Sequence, residues 1–221
     1  MYIETTSLVV FIRFPHTGKV KSRLARTLGP EKAARLYLLC AQQTVSELDK
    51  AADGVRKYLS ISDKNDEDRI RDWTGSGFKL ISQSEGDIGQ RLENCFDDLL
   101  KESPGKVIIT ASDVPDLSAE MMNEAVSALD NNDIVIGPCN DGGYYLIGMK
   151  RPHAELFRGI PWSTESVLDE TIAIASSLGL SVSRLASLRD IDTEDDLKEW
   201  VRASAGTSSP LMEYAESILN V

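Results

Sequence analysis

Two aspartates follow an apolar, β-branched run in the middle of the chain. The run covers residues 107–110, and Asp113 and Asp116 come soon after it, with Pro115 between them. Such a run predicts a buried strand, which a proline cannot continue. Ligands of open α/β sheets bind outside the carboxyl ends of the strands, so both acids are candidates for a metal or substrate site. The alternative is structural: Asp113 satisfies loop amides, and Asp116 favours the start of a helix capped by Ser118.

A basic segment begins at the end of the first apolar run, residues 8–12. No acidic residue lies between Thr5 and Pro30, although the chain carries a net charge of −11. Gly18 lets backbone amides approach a phosphate, and flanking cations neutralise it, so the segment is predicted to bind phosphate. The cations of the segment are Arg13, Lys19, Lys21, Arg23 and Arg26. It is not a P-loop, because Val20 follows Lys19. A solvated basic loop is the alternative, disfavoured because five cations repel each other unless a ligand joins them.

Further polar candidates follow the third predicted strand, residues 78–81. Gln83 is a candidate for hydrogen bonding to a nucleotide base, and Gly86 allows the backbone to come close to that base. Asp87 is equally a cap for the next helix. The nucleotide-binding and capping interpretations of this segment therefore both stay open.

Two apolar runs, at 134–136 and 144–149, are joined by a turn that contains Asp141, Gly142 and Gly143. Glycine-rich turns between apolar runs predict a β-hairpin, in which the glycines supply positive φ. The competing interpretation is that they let a substrate hydroxyl or phosphate touch the backbone beside the Asp141 carboxylate. We expect a mixture of the two.

Two later segments complete the set of candidates. Ser163 is predicted to cap a helix, with Trp162 and Val167 as its hydrophobic staple, which favours a structural Trp162 over a sugar-stacking one. An exposed indole face would nevertheless bind substrate. Asp190 and Asp192 precede a helix that starts with a Thr-x-x-Asp capping box. No structural role requires these two acids, so they are candidates to complete a metal site with Asp113.

Alternating strand and helix patterns predict an α/β fold with a mostly parallel sheet, to which the hairpin adds an antiparallel part. The length of 221 residues and a hydrophobic content of 42% fit one domain over residues 1–221. The last helix, predicted at 210–220, follows a small polar linker and is expected to be an appendage of that domain.

The amino-acid composition excludes some classes of binding partner. The net charge of −11 argues against nucleic acid and against anionic membranes, because both need a positive surface. Three widely spaced cysteines indicate buried thiols in a reducing compartment. The longest apolar runs are too short for a signal peptide or a membrane span. We therefore expect a cytoplasmic protein, a monomer or a homodimer.

The basic segment and the separated carboxylates make chemical sense together if a divalent cation joins them. Mg²⁺ takes one or two protein carboxylates and completes its coordination with phosphate oxygens and water. It also neutralises charge that develops on a departing phosphate. Mg²⁺, or Mn²⁺ in its place, is thus the predicted cofactor, and a diphosphate group is the ligand that it would join to the carboxylates.

Six short motifs occur in order along the chain. They are Arg13-x-Pro15-x-x-Gly18-x-x-Lys21-Ser22-Arg23-Leu24, Gly86-Asp87-x-Gly89-x-Arg91, Ser112-Asp113-x-Pro115-Asp116-Leu117, Gly137-Pro138-x-x-Asp141-Gly142-Gly143-Tyr144-Tyr145, Pro161-Trp162-Ser163-Thr164 and Asp190-x-Asp192-Thr193. In combination they resemble the nucleotide-diphospho-sugar transferase superfamily, and within it a bacterial glycosyltransferase-like branch related to the phospholactate guanylyltransferases. The resemblance extends to about Trp200.

The resemblance implies a GT-A fold, which is a Rossmann-like α/β/α arrangement of three layers. It implies that Asp113 is the first metal ligand and Asp192 the distant second. The segment from Gly18 to Arg23 then binds phosphate, and residues 83–87 lie near the base. One departure is that the glycine-rich run of sugar nucleotidyltransferases is longer than the one around Gly18.

Two reactions fit these expectations. In glycosyl transfer, an acceptor hydroxyl attacks the sugar of a nucleotide-sugar, with Asp141 as the candidate base. In nucleotidyl transfer, a phosphorylated small molecule attacks an NTP and pyrophosphate leaves towards the basic segment, where Lys21 is the candidate catalytic cation. The cations favour the second reaction and the resemblance favours the first, which we rank narrowly ahead. A non-catalytic nucleotide-binding module ranks last, because Asp113 and Asp192 are both present.

Overall fold

A mixed sheet of seven strands forms the centre of the computed structural model, which describes residues 5–220. The strands are β1 (Thr5–Ile12), β2 (Arg56–Ile61), β3 (Lys79–Ser82), β4 (Gly105–Ala111), β5 (Ile134–Pro138), β6 (Tyr144–Met149) and β7 (Val182–Arg184). Their order is β3-β2-β1-β4-β6-β5-β7. All pairings are parallel except those of β6, which runs antiparallel to β4 and β5. The predicted α/β fold with a mostly parallel mixed sheet is confirmed.

Eight α-helices surround the sheet within residues 5–220. They are α1 (Ser22–Leu28), α2 (Pro30–Lys50), α3 (Glu67–Thr74), α4 (Ile88–Glu102), α5 (Ala119–Ala128), α6 (Val167–Ser177), α7 (Glu194–Ala203) and α8 (Pro210–Leu219). Side chains of α2, α3 and α5 pack on one face of the sheet, and those of α4 and α6 pack on the other. None of these helices is long and apolar enough to cross a membrane.

A third apolar cluster joins the last two helices to the domain. Side chains of α7 and α8, among them Trp200 and Leu211, pack against α1 and the outer side of α2. The helix predicted at 210–220 is present as α8, with Ser209 as its N-cap. The segment with Asp190 and Asp192 directly precedes α7, so this cluster also fixes the position of the two aspartates.

Helix starts follow the local sequence in three cases and depart from it in one. Asp87 caps α4 as predicted and forms a capping box with Gln90, Thr193 forms the predicted capping box of α7, and Ser118 caps α5. The predicted cap at Ser163 is wrong, because that residue has a left-handed backbone (φ 67) and α6 begins only at Val167. Hydrogen bonds of the intervening residues, such as that from the Thr164 hydroxyl to the Pro161 carbonyl (2.7 Å), fold the segment into a turn instead.

The topology creates a crevice beside β1. The chain leaves β1 towards β2 on one side, whereas β4 pairs with β1 on the other side. Such a switch point splays the loops at the carboxyl ends of the strands and is where open α/β sheets bind ligands. The loops after β1, β3 and β4, the β5–β6 turn and the segment after β7 all emerge at this edge. These predicted site segments therefore reach the same edge.

Candidate active site

The loops at this edge enclose two clefts. The small cleft has a volume of about 360 Å³ and is lined among others by Arg13, Lys21, Arg23, Gln83, Arg91 and Asp113. The large cleft has a volume of about 1430 Å³ and lies between the β5–β6 turn, residues 162–167 and the first turn of α4. Arg23 and Asp192 line both clefts, as do Phe11, Ile88 and Ala111. The two clefts therefore meet at these residues.

Lys21 is the electrostatic centre of the small cleft. Its Nζ atom lies 2.9 Å from a carboxylate oxygen of Asp113 and 2.8 Å from one of Asp192. Arg23 adds a longer contact of 3.6 Å to the second oxygen of Asp192. The structure thus brings together two acids that are far apart in sequence, and it does so around one ammonium group.

The protonation states within this group follow from burial and charge. Burial alone would lower the pKa of Lys21, but the two adjacent carboxylates outweigh it and raise the pKa above the ordinary value. Burial likewise pushes the pKa of Asp192 upward, but Lys21 and Arg23 more than offset it, so this pKa is lowered. The ammonium and the Asp192 carboxylate are both charged at neutral pH. Lys21 also has a left-handed backbone (φ 46), which is unusual for a residue with a side chain.

Two buried hydroxyl groups, those of Tyr37 and Ser112, lie next to the cluster of Lys21, Asp113 and Asp192. The Tyr37 hydroxyl accepts a hydrogen bond from the Arg13 amide (3.1 Å) and lies 2.8 Å from the Ser112 hydroxyl. Ser112 directly precedes Asp113, and Tyr37 is on α2. Burial raises the pKa of Tyr37, so its proton is retained and both hydroxyls stay neutral. Through this pair, α2 fixes the ends of β1 and β4 relative to each other.

Gln83 and Arg91 form the far wall of the small cleft. The Gln83 amide nitrogen donates one of its two hydrogens to the Ser60 carbonyl (2.8 Å), which leaves its second N–H and its oxygen for a ligand. The Arg91 Nε atom donates to the Gly86 carbonyl (3.0 Å), which orients the guanidinium group. Gly86 thus contributes through its carbonyl group. Asp87 accepts the capping hydrogen bond of α4 from the Gln90 amide (2.9 Å).

The hairpin turn forms one wall of the large cleft. The Asp141 carboxylate accepts a hydrogen bond from the Gly143 amide (2.9 Å), which shapes the turn. Gly142 has φ 88, and a side chain there would overlap the backbone of Glu165. The Gly142 carbonyl in turn accepts a hydrogen bond from the Leu168 amide (2.9 Å). The glycines therefore serve the turn and its close packing on the start of α6.

Trp162 and Ile88 contribute the apolar surface of the large cleft. The Trp162 ring packs edge to face against Tyr144, with 6.3 Å between the ring centroids. A side chain at Gly89 would overlap the Trp162 ring, so this glycine lets the indole lie against α4. Ile88 is 41% exposed although it is a large aliphatic residue. The indole and the isoleucine together offer an apolar wall to a ligand.

A second group of potential metal ligands lies next to the first. Cys139, Asp141 and Asp190 each place one ligand atom within 4.8 Å of the others. Burial, with the nearby Asp141 carboxylate, raises the pKa of Asp190 to about 6. Burial and the surrounding acids also raise the pKa of the Cys139 thiol, so the sulfur is protonated at neutral pH. The carboxylates of Asp141 and Asp190 are therefore the groups of this cluster that could bind a hard metal ion.

The acidic residues at this edge fit a hard divalent cation. Asp113 and Asp192 already converge on one cationic group, the Lys21 ammonium. Mg²⁺ binds carboxylate oxygens, uses one or two of them and leaves its other positions to water and phosphate. Asp190 precedes Asp192 by two residues and faces Asp141. The predicted ligands Asp113, Asp190 and Asp192 thus lie around one region of the site.

Several predicted site residues lie outside both clefts. The Asp116 carboxylate accepts a hydrogen bond from the Trp200 indole nitrogen (2.8 Å), which ties the loop after β4 to α7. Lys19 and Gly18 are exposed in the loop after β1, and Arg26 is exposed near the end of α1. Direct ligand contact by these residues stays a prediction.

Sequence reasoning missed two residues that line the clefts and one that lies beside them. Arg91 belongs to the second motif, and its spacing of five residues from Gly86 is the signal that could have identified it. Cys139 is predicted to be a buried thiol, but it is only partly buried and lies next to Asp141 and Asp190. Glu165 carries no local signal, because its position in the large cleft depends on how the hairpin packs against α6.

Comparisons with known proteins agree with this architecture. Residues 44–164 match the sequence model of a family described as "Uncharacterized protein conserved in bacteria (DUF2064)". The chain is also 30% identical over 209 residues to the 2-phospho-L-lactate guanylyltransferase of Methanothermobacter thermautotrophicus. That alignment covers 93% of this chain and 87% of the relative.

Solved structures extend the comparison. A proposed nucleotide-diphospho-sugar transferase from Desulfovibrio desulfuricans G20 superposes with a TM-score of 0.91 at 26% identity, covering 99% of this chain and 98% of that one. A 4-diphosphocytidyl-2C-methyl-D-erythritol synthase from Anaerococcus prevotii gives a TM-score of 0.59 at 14% identity, covering 99% and 97%. The second likeness concerns the fold alone.

Proposed function

Because the chain belongs to the DUF2064 family and is related over nearly its whole length to a guanylyltransferase, we propose that it is a nucleotidyltransferase. Its relatives are transferases, and this protein is a transferase as well. The proposed reaction couples an NTP to a phosphorylated small molecule and releases pyrophosphate. The prediction of a non-catalytic binding module is thereby set aside.

The observation that carries the proposal is the charge arrangement at the junction of the two clefts. Arg13, Lys21 and Arg23 line the small cleft beside the Asp113 and Asp192 carboxylates. An NTP carries about four negative charges, which these cations and a bound metal ion would balance. A nucleotide-sugar carries only two, so this concentration of cations favours a triphosphate.

In the proposed mechanism the nucleotide occupies the small cleft and the acceptor phosphate enters from the large one. An acceptor phosphate oxygen forms a bond to the α-phosphorus of the NTP, while the bond from that phosphorus to the oxygen bridging it to the β-phosphorus breaks. Pyrophosphate leaves with the electron pair of that bond. Arg23, which lines both clefts, stabilises negative charge as it develops between the reacting phosphates.

Asp113 and Asp192, with Asp190 nearby, are the residues proposed to hold Mg²⁺ or Mn²⁺. A bound divalent cation supplies charge neutralisation and orientation of the phosphates in reactions of this class. Lys21, which contacts both carboxylates, is the proposed cationic partner of the phosphates. Gln83 and Arg91 are the proposed contacts to the base, one through its side-chain amide and the other through guanidinium donors.

Glycosyl transfer is the second candidate. It is favoured by the likeness over the full chain to the Desulfovibrio protein described as a proposed nucleotide-diphospho-sugar transferase. In that case a nucleotide-sugar spans both clefts, the sugar lies against Trp162, and Asp141 is the candidate base for an acceptor hydroxyl.

A thermal-shift panel separates the two reactions. The full chain is mixed with each NTP or nucleotide-sugar, with Mg²⁺, Mn²⁺ or EDTA, and a ligand at about 100 times its Kd stabilises by about 2.7 kcal/mol. Metal-dependent stabilisation by one NTP, followed by pyrophosphate release with a phosphorylated acceptor, supports nucleotidyl transfer. Stabilisation by a nucleotide-sugar and none by its triphosphate supports glycosyl transfer instead.

Matched arginine variants test the role of the cations. Arg23→Gln is expected to weaken NTP binding about 10-fold or more, because a charged hydrogen bond to phosphate is lost. Arg35→Gln changes an exposed arginine of α2 that lines neither cleft, and this control is expected to keep the original affinity. Equal affinities for the two variants contradict the proposed nucleotide site.

A further inference from the structure

The large cleft has an unusual charge balance for a site that receives a phosphorylated molecule. Among the residues that the structure describes, its lining contains one cation, Arg23, and three carboxylates, Asp141, Glu165 and Asp192. Arg23 and Asp192 contact each other at 3.6 Å, and Asp192 also pairs with Lys21, so the charges of Arg23 and Asp192 are largely balanced. The charges that no cation in the lining balances are those of Asp141 and Glu165. The cleft as a whole is therefore negative.

The charges are also separated within the cleft. Arg23 and Asp192 lie where the large cleft meets the small one. Asp141 and Glu165 belong to the hairpin turn and to the segment on which that turn packs, joined by the hydrogen bond from the Leu168 amide to the Gly142 carbonyl. We call Asp141 and Glu165 the acidic wall. A bound molecule thus meets a cation at the junction and carboxylates along the hairpin side.

The remaining lining is apolar or carries hydroxyl groups. Ile88 and Trp162 form the apolar part, and Ile88 is one of two large hydrophobic residues left exposed within residues 5–220. Ser163, Thr164 and Ser166 lie along the segment before α6 and add hydroxyl groups. This surface suits a ligand that has hydroxyl groups and an apolar face.

We infer that the acceptor is a phosphate monoester without a second anionic group, whose uncharged remainder carries hydroxyls and an apolar face. The inference rests on the proposed nucleotidyl transfer and specifies its acceptor. The phosphate lies at Arg23 and the uncharged part lies along the acidic wall. A carboxylate in that part would face Asp141 and Glu165, and like charges juxtaposed in a cleft disfavour binding on the order of 100-fold. In this respect the protein differs from its guanylyltransferase relative, whose named substrate carries a carboxylate beside its phosphate.

A pair of probes with matched skeletons tests the inference. Glycerol phosphate and phosphoglycerate differ in a single group, a hydroxymethyl in the first and a carboxylate in the second. Their affinities for the full chain are measured by titration calorimetry with Mg²⁺ and without nucleotide. We expect glycerol phosphate to bind at least about 10-fold more tightly. Equal binding, tighter binding of phosphoglycerate, or no binding of either probe overturns the inference.

Charge reversal at the acidic wall provides the second measurement. Glu165→Lys is expected to reverse the preference, so that phosphoglycerate binds more tightly than glycerol phosphate. Glu170→Lys changes an exposed glutamate of α6 outside the cleft by the same charge and leaves the preference unchanged. An identical preference in both variants shows that the acidic wall does not select the acceptor.

This design separates failure of the inference from failure of the proposed function. Probe binding requires no NTP and no turnover, so it reports on the large cleft alone. If NTP binding and pyrophosphate release occur but phosphoglycerate is the tighter probe, only the acceptor inference is wrong. If no NTP binds and the probe ranking holds, the selectivity of the cleft is supported while nucleotidyl transfer is not.

Discussion

Replacing Lys21 with methionine removes the cation that holds Asp113 and Asp192 together. The lysine side chain is 4% exposed, whereas the two aspartate side chains are 32% and 37% exposed. Removing one partner of a fully buried ion pair costs about 3–5 kcal/mol. Because the remaining carboxylates are partly hydrated, we expect a smaller loss of about 2 kcal/mol of unfolding free energy. For a chain of this size that corresponds to a decrease in Tm of roughly 4–8 °C.

A divalent cation should compensate for this loss. If Asp113 and Asp192 hold Mg²⁺ as proposed, the ion competes in the original protein with the Lys21 ammonium group for the two carboxylates. In Lys21→Met the carboxylates repel each other and have no competing cation, so metal affinity is expected to rise. Unfolding in urea is measured with EDTA and with Mg²⁺, and the metal is expected to stabilise the variant more than the original protein. Binding of NTP is expected to weaken in the same variant.

Lys106→Met is the matched control for this experiment. Lys106 is also a largely buried lysine paired with an aspartate, Asp130, but it lies near the amino end of β4, away from the clefts. This control is expected to lose stability without any change in its response to Mg²⁺. If Lys21→Met loses no stability in EDTA, or responds to Mg²⁺ as Lys106→Met does, the assignment of Lys21 to the metal region is wrong.

Two further substitutions test how the clefts are built. Gly89→Ala places a methyl group against the Trp162 ring and is expected to cost about 1–3 kcal/mol, measured by urea unfolding. Gly77→Ala, where the added methyl meets nothing, should change stability by less than about 0.5 kcal/mol. Asp116→Ala leaves the buried Trp200 indole nitrogen without its acceptor and is expected to cost about 1–3 kcal/mol with unchanged NTP affinity. A loss of NTP affinity at full stability would instead support the prediction that Asp116 binds substrate.

Local patterns in the sequence predict the order of strands and helices. Apolar β-branched runs are sufficient to identify β1 and β4, and the turn with Asp141 identifies the antiparallel pair of β5 and β6. Capping by Asp87 and Thr193 follows from spacings of three residues. These features could be predicted because each depends on neighbours within a few positions, where backbone hydrogen bonding and side-chain period act directly.

The failed cap at Ser163 marks the limit of such reasoning. Its sequence is suited to a helix start, yet the segment must also pack against Gly142, and the hydrogen bond from Leu168 to that glycine holds it there. A contact with another element therefore overrides the local preference and delays α6 until Val167.

The sequence predicted which types of residue form the site, but not how these residues contact one another. The types and order of Lys21, Asp113 and Asp192 indicated a site for phosphate and metal, and the motifs identified the family. Only the tertiary structure decided that one ammonium joins two acids, that Asp116 is bonded to Trp200, and which side chains form the two clefts. The physical reason is distance along the chain. Lys21 and Asp192 are separated by 171 residues, and they meet because α1, which follows Lys21, and α7, which follows Asp192, pack into one apolar cluster with α2 and α8. The pairing of β1 with β4 brings Asp113 to the same lysine.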